Sequence, residues 1–119
     1  MSNSMVAVSF DCADARAATQ FWAAATGRHI EEDRSTAEHV VLLSEGETAS
    51  GPLFVFNAVP EPKTVKNRVH IDLASGTFDA EADRLVSLGA RKLADHEQDG
   101  SSWVTLADVE GNEFDLIAR

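Results

Sequence analysis

The sequence contains one cysteine, no long apolar run and half as many basic as acidic residues. A single cysteine, Cys12, excludes an internal disulfide and a zinc site built from cysteines. No apolar run approaches the length of a membrane span or of the core of a signal peptide, so we expect a cytoplasmic protein. Lys and Arg number 10 against 20 Asp and Glu, a net charge of -10. This charge disfavours nucleic acid and anionic membranes as partners, because both need basic residues to neutralise phosphates.

The motifs of several common enzyme classes are also missing. No serine lies in a nucleophile elbow beside a convincing base. The sequence has neither a phosphate-binding loop nor a dinucleotide-binding fingerprint. Nucleophilic serine chemistry and nucleotide binding therefore find no support.

An internal duplication organises the chain. The first copy runs from Val6 to Gly27 and the second from Val69 to Gly89, and each has the pattern of a strand, an amphipathic helix and a terminating glycine. After each glycine the pattern predicts a short polar strand and a hairpin of two apolar strands. We expect a single α+β domain of two βαβββ modules that form a cupped mixed sheet, with a shared pocket between them.

The first module spans about residues 5–59. Val8 and Phe10 lie on the apolar side of its first strand, and its helix begins after Asp14 and ends at Gly27. A short exposed strand is expected at 28–32, followed by strands at 39–43 and 53–58 with a polar loop at 45–51 between them. The linker, about 60–67, contains two prolines and two lysines.

The second module spans about residues 68–119. Its first strand alternates from Val69, with Val69, Ile71 and Leu73 toward the helix. The helix carries apolar residues at helical spacing and ends at Gly89; these residues are Phe78, Ala82, Leu85 and Val86. A weak strand is expected at 91–94, and a closing hairpin at 103–107 and 113–118.

Two small modules leave sheet edges and apolar surface uncovered, which favours a homodimer. Trp22, on the first helix, is either a core residue or a dimer contact. Cys12 is expected to be a small packing residue.

The duplication, the pattern of Asp14 before Trp22 and Gly27, the segment 66–73 and the closing turn 108–112 together resemble the vicinal oxygen chelate superfamily. This superfamily includes glyoxalase I, bleomycin-resistance proteins and extradiol dioxygenases. The closest resemblance is to its small glyoxalase-like branch, in which the closing turn reads Asp-Pro-Glu-Gly-Asn; here Val109 replaces the proline. The fold hosts lyases, dioxygenases, epimerases and simple binders, so the resemblance does not name a reaction.

In the catalytic members of the superfamily, four side chains hold a divalent metal. The resemblance places these positions at Ala7, at Phe56 or Asn57, at His70 and at Asp115. Alanine cannot bind a metal, and Asn57 would be a weak neutral donor. His70 and Asp115 remain, one or two ligands short of a facial triad. We therefore expect no tightly held metal, with His70 and Asp115 as the ligands if one binds.

Strand alternation places one set of polar residues on the sheet face opposite the helix, namely His70, Asp72, Glu113 and Asp115. We expect these residues to line the cup, with Asp72 and Glu113 either binding ligand or paired with Arg68 and Lys66. Trp103 is either a core residue or a wall of the pocket. Phe54 and Phe56 either face the cup or pack on the helix. His29, His39 and His96 are interpreted as surface residues.

The leading hypothesis is a small-molecule binder of the glyoxalase and bleomycin-resistance type, whose acidic cup favours a cationic guest. Its candidate ligand-binding residues are His70, Asp72, Asp115, Glu113, Asn57 and Trp103. The alternative is a divalent-metal-dependent lyase, isomerase or dioxygenase with a rearranged metal site around His70 and Asp115.

Overall fold

The computed structural model describes residues 2–43 and 51–119. It divides the chain into two compact units, one ending at Pro62 and the other beginning at Lys63. The helices are α1 Ala15–Thr26 and α2 Phe78–Ser87, and a short 3₁₀ helix spans Glu32–Arg34. The strands are β1 Ala7–Cys12, β2 His39–Leu42, β3 Leu53–Ala58, β4 Asp72–Ser75, β5 Arg91–Gln98, β6 Ser101–Ala107 and β7 Glu113–Ala118. The loop predicted at 45–51 lies, apart from Gly51, outside the described residues.

Aromatic side chains form the core of the first unit. Its three-stranded sheet has the order β1-β3-β2, with β1 parallel and β2 antiparallel to β3. The ring of Phe10 stacks on Phe56 at 4.8 Å between centroids, and Trp22 meets Phe54 edge-on at 5.9 Å. Phe54 and Phe56 are buried. Of the two interpretations of this pair, packing on the helix is therefore confirmed.

Helix α1 begins and ends where the sequence predicts. The carboxylate of Asp14 accepts a hydrogen bond from the backbone N–H of Ala17, and Gly27 adopts the left-handed conformation with φ of 75°. Thr19 is buried because its hydroxyl donates to the carbonyl of Ala15. Trp22 is only 1% exposed and belongs to the core. The homodimer stays a prediction, and Trp22 is not available as its contact.

The prediction of a strand at 28–32 is wrong. Only Ile30 pairs, through a single bridge to Leu42. Arg28 is 8% exposed, with its guanidinium 4.1 Å above the centre of the Phe54 ring and its Nη1 donating to the carbonyl of Pro52. This cation–π contact keeps the side chain of Arg28 buried, whereas the expected strand would have exposed it. The described part of the first unit therefore contains three strands instead of four.

The second unit contains a four-stranded sheet with the order β4-β7-β6-β5. Strand β4 is parallel to β7, and the other neighbours are antiparallel. The first strand was expected from Val69, but β4 begins at Asp72 and Val69 is 79% exposed. The reason is a contact between residues distant in sequence: the N–H of Asn67 bonds to the Glu113 carboxylate, and pairing to β7 starts only at the carbonyl of Ile71.

The strand predicted at 91–94, which precedes the closing hairpin, is longer than expected. Strand β5 continues through Gln98, beyond the expected 91–94, and turns into β6 at Asp99 and Gly100, both with positive φ. Helix α2 covers the other face of the sheet with Leu85, which is fully buried, whereas Val86 is exposed. Among the described residues, neither helix is long and apolar enough to cross a membrane.

Gly89 and Gly100 provide a matched test of this architecture. Gly89 follows α2 with φ of 119°, and a Cβ there would lie 2.9 Å from Cγ1 of Val109, whereas a Cβ at Gly100 would meet open space. We expect Gly89→Ala to reduce the free energy of unfolding by about 2–3 kcal/mol and Gly100→Ala by about 1 kcal/mol. Urea unfolding measures both, and equal losses would contradict the geometry at Gly89.

Candidate functional site

A cavity of about 710 Å³ opens on the sheet of the second unit. Strand alternation decides which residues reach it: Phe114, Leu116, Val104 and Leu106 are buried, and their neighbours in sequence line the cavity. The apolar lining consists of Leu93, Ala94, Trp103 and Ile117. The polar lining includes His70, Asp72, His96, Thr105, Glu113 and Asp115. Trp103 is therefore a wall of the cavity, one of the two interpretations of this residue.

His70, Asp72 and Asp115 form an acidic cluster at this cavity. Asp72 and Asp115 are register partners on the parallel strands β4 and β7. Nδ1 of His70 lies 3.3 Å from Oδ1 of Asp72 and 3.4 Å from Oδ2 of Asp115. Since both partners of Nδ1 are acceptors, this nitrogen carries the proton. The structure thus brings together three of the residues that alternation placed on one face.

Thr105 joins this cluster to a second histidine. Its hydroxyl donates to Oδ1 of Asp115 at 2.6 Å, and its oxygen lies 3.1 Å from Nε2 of His96. The imidazole of His96 stacks on Trp103, with 5.1 Å between ring centroids and 16° between planes. The result is a hydrogen-bond row of Asp115, Thr105 and His96, on β7, β6 and β5. It lies beside an aromatic wall formed by Trp103 with His96.

The interpretation of His96 as a surface residue is wrong. Because β5 extends to Gln98, His96 becomes the register partner of Trp103 and faces the cavity. The signal was present in Asp99 and Gly100, a turn pair that favours a tight hairpin and sets this register. His29 and His39 are exposed, as expected.

Two residues of the predicted linker hold the carboxylate of Glu113. Its carboxylate accepts hydrogen bonds from the N–H of Asn67 at 3.0 Å and from Nζ of Lys63 at 3.3 Å. The expected partners were Arg68 and Lys66, and the structure places Lys63 there instead. Burial raises the pKa of Glu113, but the hydrogen bonds from Asn67 and Lys63 outweigh it and hold the pKa below its ordinary value.

Asn57 belongs to the first unit. It lies on β3 beside Asp11, and its Oδ1 is 2.7 Å from Nδ1 of His39. Phe56, the other candidate at this position, is buried in the aromatic core. A ligand-binding role for Asn57 stays a prediction.

Within residues 2–43 and 51–119, the acidic cluster is the group of side chains whose ligand atoms could hold a metal ion. One nitrogen and two carboxylate oxygens, from His70, Asp72 and Asp115, lie within 4.8 Å of one another. The structure thereby adds Asp72 to the pair expected from the sequence, while Ala7, in β1, has no donor atom. A set of one imidazole and two carboxylates fits a hard divalent ion such as Mn²⁺ or Mg²⁺, with positions left open for substrate.

The Glu113 contacts generate a pH-dependent prediction. A carboxylate whose pKa is lower in the folded state stabilises the fold above its ordinary pKa of about 4.5, and this contribution is lost as the pH falls through the folded pKa. We expect Glu113→Gln to be less stable than the wild type at about pH 7 and the difference to shrink at about pH 3. Urea unfolding at both pH values is the measurement. Glu97→Gln, at an exposed position of β5, is the control, and a difference that is independent of pH would contradict the prediction.

Known structures share this fold at low sequence identity. A glyoxalase/bleomycin resistance protein/dioxygenase family enzyme from Burkholderia phytofirmans PsJN is 18% identical, with a TM-score of 0.78 and 98% of each chain covered. A fosfomycin resistance protein, FosX, from Listeria monocytogenes, solved with Mn(II) and 1S,2S-dihydroxypropylphosphonic acid, is 13% identical, with a TM-score of 0.76 and coverage of 98% of this chain and 90% of that one. TioX from a Micromonospora species is 17% identical, with a TM-score of 0.62 and 98% of each chain covered. No curated protein matches the sequence.

The family assignment follows from the sequence itself. The profile of the family described as "Glyoxalase-like domain" matches residues 7–117, from the first residue of β1 nearly to the end of β7. The structural matches agree with it, since they include members of the glyoxalase, bleomycin-resistance and dioxygenase group. The chain therefore belongs to the glyoxalase-like family of the vicinal oxygen chelate superfamily.

Proposed function

We propose that this protein binds a small planar organic molecule in the cavity of its second unit. The observation that carries the proposal is the pairing of an aromatic wall, Trp103 with His96, and a polar cluster around Asp115 in one cavity of about 710 Å³. Ligand sites are typically concave and largely apolar, with a few polar groups that orient the guest. This cavity combines both features.

The charges around the cavity favour a cationic or neutral guest over an anionic one. Asp72, Asp115 and Glu113 line it together with Lys66. Lys63 pairs with Glu113, whereas within the described part of the chain Asp72 and Asp115 contact the imidazole of His70 and form no ion pair with a lysine or arginine. The net charge of -10 acts in the same direction at longer range.

Three probes of equal shape and different charge test the proposal: benzamidinium, benzamide and benzoate. We expect the cation to bind most tightly and the anion least, in both thermal-shift and calorimetric titrations. Trp103→Ala should weaken all binding about tenfold through loss of stacking, or ~1.4 kcal/mol. Asp115→Asn should weaken benzamidinium about tenfold and leave benzamide nearly unchanged, because it removes a charge but retains an acceptor for Thr105.

Asp33→Asn is the matched control, since it removes the same charge from an exposed position on the 3₁₀ helix of the first unit. It should leave all three affinities unchanged. Equal losses of benzamidinium affinity in Asp33→Asn and Asp115→Asn would reduce the effect to net charge and contradict a site at the cavity. If divalent ions raise the melting temperature and none of the three probes binds, the proposal fails.

A second candidate function is metal-dependent catalysis, and the cluster of His70, Asp72 and Asp115 is the observation that favours it. FosX from Listeria monocytogenes, which shares this fold, was solved in complex with Mn(II). An unprotonated ring nitrogen of His70 and one oxygen from each carboxylate would hold the ion here. When bound, a divalent ion polarises a substrate oxygen and stabilises negative charge that develops on it.

Elemental analysis of protein purified without chelator or affinity tag tests this candidate, followed by Mn²⁺ titration monitored by electron paramagnetic resonance. We expect a metal site to bind one Mn²⁺ per chain and to lose about tenfold or more in affinity in Asp72→Asn. Glu97→Gln, away from the cluster, should retain the affinity. Equal weak binding by all three proteins would exclude the site.

A further inference from the structure

The hydrogen-bond row across the cavity has a fixed direction, which Thr105 sets. A threonine hydroxyl has one hydrogen to donate and two lone pairs to accept. The 2.6 Å contact between Thr105 Oγ1 and Asp115 Oδ1 uses that hydrogen, because an ionised carboxylate can only accept. The oxygen of Thr105 is therefore left as an acceptor for its second neighbour.

That second neighbour is Nε2 of His96, 3.1 Å from the Thr105 oxygen. Since the oxygen can only accept there, Nε2 must carry a proton. In the neutral imidazole the proton on Nε2 leaves Nδ1 as a hydrogen-bond acceptor. Stacking on Trp103 fixes the plane of the ring at the same time, so both the tautomer and the orientation of His96 are determined.

Nδ1 of His96 has no hydrogen-bond partner within the described part of the chain. Asp115, by contrast, is engaged at both oxygens, Oδ1 by Thr105 and Oδ2 by His70. His96 lines the cavity beside Trp103, so its Nδ1 is the acceptor that remains for a guest in the cavity.

We propose that His96 is the specificity-determining residue of the cavity, and that it selects planar heteroaromatic molecules with a ring N–H donor over isosteres that lack the donor. The inference rests on the proposed small-molecule function and adds to it the chemical class of the ligand. A ligand that places an acceptor, instead of an N–H, opposite Nδ1 of His96 leaves both groups desolvated and without a hydrogen bond. A molecule of the same shape without the N–H is therefore disfavoured.

Indole and benzofuran are suitable probes, because they share shape and neutrality and differ in that one has an N–H where the other has an oxygen. Titrations are followed by the indole N–H resonance of Trp103 in two-dimensional ¹H–¹⁵N NMR, with the buried Trp22 as the internal reference. We expect the wild type to bind indole about three- to tenfold more tightly than benzofuran, the effect of one hydrogen bond. At about pH 9, where an ordinary imidazole is neutral, the imidazole ¹⁵N spectrum of the free protein should show the His96 proton on Nε2 and not on Nδ1.

Three variants locate the selectivity. His96→Phe retains an aromatic ring beside Trp103 but has no acceptor, so it should bind both probes equally, with benzofuran affinity within about twofold of the wild type. Thr105→Val removes the hydroxyl and retains the shape, so the preference should fall. Thr105→Ser restores the hydroxyl and should restore the preference, which a merely structural role of Thr105 would not require.

The outcomes separate the two proposals. If both probes shift Trp103 with equal affinity in the wild type, or if His96→Phe retains the preference for indole, His96 is not the selective residue, while the binding function stands. If neither probe shifts Trp103, the inference is overturned, and the small-molecule function is decided separately by the benzamidinium, benzamide and benzoate titrations. A protonated Nδ1 in the free protein would also overturn the assignment, independently of any ligand.

Discussion

The short hydrogen bond between Thr105 and Asp115 is the interaction on which the rest of the cavity depends. It connects β6 to β7 at paired positions and holds a carboxylate inside a partly apolar cavity. Without a donor on that side, the carboxylate would be less stabilised against desolvation, and His70 would be its only polar contact at the cluster. The contact occupies Oδ1 of Asp115, leaves Oδ2 facing His70, and makes the Thr105 oxygen an acceptor toward His96.

The sequence was sufficient for the fold because its strongest signals are periodic and repeated. Asp14 and Gly27 bound one helix, Gly89 ends the other, and the alternation along β7 assigns Asp115 to one face and Phe114 to the other. These signals are local, and each depends on backbone geometry that a single residue type satisfies best. The same alternation brought His70, Asp72 and Asp115 to one cavity.

What the sequence did not reveal depends on contacts between distant residues. Arg28 is polar by type, yet the face of Phe54 and the carbonyl of Pro52 make its burial favourable. Val69 alternates like a strand residue, but the Asn67–Glu113 hydrogen bond delays the start of β4. His96 was missed because its role requires the register of an entire hairpin, which depends on where the turn lies. Alternation can assign a face to a residue, but it cannot identify the neighbour across the strand.

The two repeats differ in the side chains they place on their sheets, and Arg28 with its aromatic surroundings is the clearest sign of it. In the first unit, large rings and one buried cation stabilise the core, and Ala7 in β1 has no donor atom, whereas in the second unit His70 lies two residues before β4 and lines the cavity. The residues that line the cavity of the second unit are therefore different from those that form the aromatic core of the first unit. A duplicated chain of this kind can evolve toward new ligands in one half while the other half preserves the stability that such changes require.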